Sequence, residues 1–135
     1  MELSGGEKKR LCNALVLAWD PEILILDEPT VGQDAEQKER LVQTIRLLLT
    51  ENKTVIVVTH DVEFIWPLQP RVILMSEGRI VADGTAKDVL GDPSKTIEAN
   101  VIAPQLVDLF QHLGLAARPS DIFEARELIR HLVQK

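Results

Sequence analysis

Cysteine is nearly absent: Cys12 is the only one in 135 residues. No disulfide can close within the chain, which fits a reducing compartment. Long apolar runs are missing too, and none approaches the ~20 residues that a membrane-crossing helix needs. Positive charge is in deficit, with 15 Lys and Arg against 21 Asp and Glu, a formal net charge of −6 and a pI near 5.0. A nucleic-acid backbone is therefore not an expected partner. No basic-then-apolar leader opens the chain, and there is no internal repeat or low-complexity tract. The expectation is a soluble, cytoplasmic chain, whose 45% hydrophobic content suffices for one domain-sized core.

What is present centres on Ile23-Leu24-Ile25-Leu26-Asp27-Glu28-Pro29. Four branched aliphatics without alternation predict a strand buried on both faces, too short for an ordinary helix. Pro29 stops a continuing ladder. Two carboxylates just past the C-terminal end of a buried parallel strand stand where α/β sheets bind ligands. Taken alone, the run reads equally well as a strand followed by a polar turn.

Two flanking stretches carry more. Leu3-Ser4-Gly5-Gly6-Glu7 lies upstream and Val57-Val58-Thr59-His60-Asp61 downstream. Ser4 and Glu7 form an S-x-x-E capping box, with Leu11, Ala14, Leu15 and Ala18 as the apolar stripe of a helix ending at Asp20-Pro21. Gly5 and Gly6 weaken a first turn; they make sense where backbone N–H groups must approach a phosphate closely. A plain capped helix is the alternative. Thr54–Val58 is β-branched throughout and predicts a second buried strand, which delivers Thr59, His60 and Asp61 to the same sheet edge as Asp27 and Glu28.

LSGGE, ILILDEP and VTHD, in this order and spacing, resemble the ATP-binding-cassette (ABC) ATPases over roughly residues 1–90. There they are the signature motif, the Walker B strand and the switch-histidine loop. Thr30-Val31-Gly32-Gln33-Asp34 resembles the family's D-loop, although Gln33 stands where Leu is more usual, and Asn13 where an aliphatic is usual. Asp34 is also a plausible N-cap, with Gln37 at the capping-box position, for a helix running to about Leu49. That helix's Glu36, Lys38, Glu39 and Arg40 are expected as a solvated face, and Asp61 as the cap of a short helix that Pro67 ends.

Arg71–Met75 and Arg79–Ala82 around Gly78 predict a β-hairpin, and Thr85 with Asp88 the start of a short helix. Residues 91–104, with Gly91, Pro93 and Pro104, are expected to be a linker. Two amphipathic helices follow, with stripes Leu106, Leu109, Phe110, Leu113 and Ile122, Ala125, Ile129, Leu132, Val133. This 105–135 tail resembles the extension of energy-coupling-factor ATPases, the subfamily powering uptake of vitamins and of cobalt or nickel. The bare alternative is two helices packed on the core or on each other.

The resemblance implies a P-loop-NTPase-like α/β fold: a mostly parallel sheet with flanking helices, plus the helical C-terminal extension. No G-x-x-x-x-G-K-[ST] occurs in the 135 residues, so the phosphate-cradling half of that fold is missing here. By resemblance, Asp27 helps hold Mg²⁺, Glu28 is the general base and His60 reaches the γ-phosphate. Leu3, Ser4, Gly5, Gly6 and Glu7 would close on nucleotide held by another subunit, and Asp34 belongs to the D-loop. ATP and Mg²⁺ are the implied cofactors. The implied partners are a second cassette domain, in a homo- or heterodimer, and a transmembrane coupling subunit that holds the chain at the inner face of the membrane. Two other readings stay open: a non-transport cassette ATPase, and a non-catalytic module that offers its signature and D-loop surfaces to a complete partner.

Overall fold

The computed structural model describes residues 5–133. Its elements are α1 (Gly5–Leu17), β1 (Ile23–Asp27), α2 (Ala35–Thr50), β2 (Thr54–Val58), α3 (Val62–Ile65), a 3-10 turn (Trp66–Leu68), β3 (Arg71–Ser76), β4 (Arg79–Thr85), α4 (Ala86–Val89), α5 (Pro93–Glu98), α6 (Gln105–His112) and α7 (Ile122–Val133). Two compact units divide the chain, residues 1–64 and 65–135.

In the first unit β1 and β2 pair in parallel, Ile23 opposite Thr54 through Asp27 opposite Val58. The α2 helix between them is the crossover that a parallel pair requires; it lies against β2 and buries Val42 and Ile45. Asp34 caps it, its Oδ1 accepting the Gln37 N–H at 2.8 Å.

Burial here departs from expectation. β1 alternates, with Leu24 and Leu26 buried while Ile23 and Ile25 are 60% and 65% exposed. β2 is at most half-buried at every position, and among the described residues its only strand partner is β1. The expected stripe of α1 is likewise open, with Ala14 and Ala18 exposed and Leu11 and Leu15 about half or more exposed. The physical reason is that only one face of the two-stranded sheet is covered among the described residues. The aliphatic run was right for strands but not for burial on two sides.

The second unit closes its own core. β3 and β4 form the antiparallel hairpin, turning through Glu77 and Gly78, both at positive φ as a two-residue hairpin turn of the primed type demands. Thr85 caps α4 by accepting the Asp88 N–H. Residues 91–104 are not a linker: Asp92 caps α5, and Gly91, Thr96, Ala99 and Pro104 are buried. Asp92 followed by Pro93 is an N-cap with proline at the first helical position, a start signal that outweighs the weak apolar periodicity. Nor does a boundary fall before the tail, since Trp66 donates its indole N–H to the Pro119 carbonyl at 2.8 Å. Val107, Phe110, Pro119 and Ala125 are the buried residues of the tail among those described; Leu109, Leu113, Ile122, Ile129 and Leu132 of the expected stripes are exposed.

Gly91 sits where nothing larger fits. Arg118 Nη1 donates to the Lys87 carbonyl at 2.9 Å, closing the end of α4. A Cβ on Gly91 would run into that carbonyl oxygen and lie 2.6 Å from Arg118 Cδ. Gly91→Ala is expected to destabilise the second unit by about 1–3 kcal/mol through overpacking. Chemical denaturation checks this, and an unchanged midpoint would contradict the close packing.

Candidate functional site

Parallel pairing brings the chemistry together. The ladder continues one step past β1, where the Glu28 N–H donates to the Val58 carbonyl at 2.8 Å. Glu28 itself adopts φ +43°, a left-handed conformation that costs a non-glycine residue roughly 1–2 kcal/mol. Asp20, Asn52, Gln69, Glu77 and Asn100 share this region, so the backbone alone does not single Glu28 out. The chain then doubles back through Gly32, at φ +75°, with the Gln33 N–H donating to the Thr30 carbonyl at 3.0 Å.

The Glu28 carboxylate is gripped by the loop after β2. His60 Nδ1 lies 2.7 Å from Oε1, the His60 backbone N–H donates to the same oxygen at 3.2 Å, and the Thr59 hydroxyl donates to Oε2 at 3.3 Å. A carboxylate only accepts, so Nδ1 carries the proton and Nε2 is left for another group. The His60 side chain is 82% exposed and that of Glu28 34%. The His60 contact, outweighing partial desolvation, holds the Glu28 carboxyl below its ordinary range, with the Thr59 hydroxyl and the His60 amide adding to it.

Asp27, the other carboxylate of the pair, is exposed at the end of β1. No group of three or more His, Cys, Asp or Glu side chains among the described residues could cage a metal. Leu3 and Ser4 lie outside the described residues. Gly5 and Gly6 open α1 with Glu7 in its first turn. Gly6 approaches the loop after β1 so closely that a Cβ there would lie 3.1 Å from the Gly32 carbonyl oxygen. Asp34 is occupied as the α2 cap.

Three residues gain a role that the sequence reading did not give them. Lys38, expected on a solvated face, pairs with Asp61 at 2.6 Å. Thr30, buried, helps hold the Asp61 carboxyl below its ordinary range, and Thr59 bridges Asp61 and Glu28. Lys38 and Asp61 are 23 positions apart, a separation that no local pattern marks.

Parallel strands joined by a crossover helix thus bring Asp27 and Glu28 from the end of one strand and His60 from the loop after the other to the same sheet edge. The family described as ABC transporter matches residues 1–31. Energy-coupling factor transporter ATP-binding protein EcfA2 of Methanospirillum hungatei is 44% identical over 82% of this chain and 28% of its own length. The EcfA protein of Methanothermobacter thermautotrophicus is 38% identical over 89% of this chain and 39% of its own. CbiO1 of Clostridium perfringens, described as part of the ABC transporter complex CbiONQ, superposes with a TM-score of 0.58 at 32% identity, over 81% of this chain and 44% of that one. The chain belongs to the ABC transporter ATPase family, and it spans less than half the length of these relatives.

If His60 is the main cause of the depressed Glu28 carboxyl, His60→Ala moves its titration up toward the ordinary glutamate range. The stability that the contact gives is present above that ordinary range and fades as pH falls through the lower folded value. Carbon-detected NMR of the Glu28 carboxylate reads the shift; an identical titration in both proteins would exclude the contact.

Proposed function

We propose that this chain supplies the hydrolytic half of one ATP site, and the lid of another, in an ABC-type importer ATPase of the energy-coupling-factor kind. The observation that carries the reading is the Glu28–His60 contact at 2.7 Å across the ends of β1 and β2. Glu28 polarises the attacking water as general base. His60 keeps its Nδ1–H on Glu28 and donates from Nε2, which must then also carry a proton, to the γ-phosphate. Asp27 is the residue that would hold Mg²⁺, which supplies charge neutralisation on the phosphates when bound. Leu3, Ser4, Gly5, Gly6 and Glu7 approach nucleotide of a second cassette domain, and Asp34 sits at that interface.

The tail acts in packing or oligomerisation: Ile122, Phe123 and Leu132 are at least half exposed on α7, an apolar surface that a second subunit would cover. No helix among the described residues is long and apolar enough to cross a membrane. A transmembrane coupling subunit is the partner that would hold the chain at the inner face of the membrane.

In the full-length polypeptide carrying these residues, Glu28→Gln is expected to keep ATP binding and lower turnover on the order of 10²- to 10⁴-fold. It should also hold the dimer closed on unhydrolysed ATP. Asp27→Asn should instead weaken MgATP itself. Turnover measured beside gel filtration with ATP separates the two, and near-normal hydrolysis by Glu28→Gln would remove Glu28 as the base.

A second reading, a non-catalytic interaction module, is favoured for the 135-residue chain alone by its lack of a phosphate-loop motif. This chain alone is expected to show no micromolar affinity for MgATP in calorimetry; binding in that range would sink the second reading.

A further inference from the structure

Asp61 is the hub of a second set of contacts, distinct from the Glu28–His60 pair. Its Oδ2 meets Lys38 Nζ at 2.6 Å. Its Oδ1 accepts the Phe64 N–H at 3.1 Å. Its backbone N–H donates to Thr59 Oγ1 at 3.0 Å, and that hydroxyl passes its own proton toward Glu28 Oε2 at 3.3 Å. The Asp61 and Lys38 side chains are 15% and 37% exposed. Burial alone would raise the Asp61 carboxyl, but Lys38, the Phe64 amide and Thr30 together bring it below its ordinary range.

Lys38 is placed to transmit position as well as charge. It lies one helical turn past Asp34, whose carbonyl accepts the Lys38 N–H at 3.0 Å, so the two residues move together as the first turn of α2. Any displacement of Asp34 therefore reaches Asp61, and through Asp61 the backbone of Thr59 and His60. The Thr59 hydroxyl, on Glu28 Oε2, ties the other end of the circuit.

We propose that Lys38 is a positioning residue that, through Asp61, couples the Asp34 loop to the placement of His60 and Thr59 on Glu28. The proposal rests on the reading of Glu28 as the base. What this part-buried ion pair supplies is registry between two loops that the β1–β2 ladder does not tie.

The test uses the full-length polypeptide carrying these residues, with steady-state ATP turnover and thermal melting. Lys38→Met is expected to lower kcat roughly 2- to 30-fold, with KM for ATP and the melting midpoint near those of the unmodified protein. Lys38→Arg restores kcat. Asp61→Asn gives the same kcat loss, and Lys38→Met with Asp61→Asn is no worse than the poorer single variant, as one shared pathway requires. An unmodified kcat in Lys38→Met, failure of Lys38→Arg to restore it, or additive losses in the double variant would overturn the coupling. A kcat loss that only follows a lowered melting midpoint would overturn it too. Glu28→Gln in the same assay separates the two levels. If Glu28→Gln is inactive and Lys38→Met is normal, the coupling alone is wrong. If Glu28→Gln is also normal, the base assignment falls and the coupling with it.

Discussion

Everything at the site depends on the register of one parallel strand pair. Asp27 stands opposite Val58, and the next residue continues the ladder through the Glu28 N–H and the Val58 carbonyl at 2.8 Å. This single hydrogen bond fixes how far each strand runs before its loop departs. A slip of one residue would turn Asp27 and Glu28 to opposite faces and move His60 off the carboxylate. Parallel pairing also puts both C-terminal ends on one edge, which is why an acid from one strand meets a base from the other.

Glu28 is shaped by two opposing demands. The left-handed backbone at φ +43° is unfavourable and persists because the ladder bond before it and the buried Pro29 and Thr30 after it over-determine the turn. The side chain meanwhile accepts three hydrogen bonds from the β2 loop. These hold the carboxylate in its ionised form and lower its basicity. The Glu28–His60 contact thus links base strength to where His60 points.

Local chemistry was legible where a pattern is local. The hairpin around Gly78, the Thr85 cap and the Asp34 cap each follow from a few adjacent residues, and the strand ends bearing Asp27, Glu28 and His60 follow from aliphatic runs. The helix within 91–104 was missed because one Asp-Pro start signal competes with two glycine and proline breakers, and buried Thr96 and Ala99 give little apolar periodicity. Lys38 was read as solvated because α2 is charged around it, Glu36 and Arg40 pairing in the open at 2.6 Å. Only the crossover geometry brings Asp61 beneath that one lysine.

Burial patterns separate the two units and say what holds the site in shape. In the second unit Trp66, Val89, Leu90, Val107 and Phe110 are at most 2% exposed, so dispersion and hydrophobic burial define it. In the first, Ile23, Ile25, Ile56 and Val58 are about half or more exposed, and apolar burial acts on one side of the sheet alone. Non-directional burial on one side fixes which face of β1 points inward, but it does not fix the placement of a carboxylate to a few tenths of an ångström. That precision comes from directional bonds: the ladder step at Glu28, the Thr59 bridge and the Lys38–Asp61 pair. In this unit the residues of the site are therefore also a large part of what orders it, and changes to them are felt in geometry before they are felt in packing.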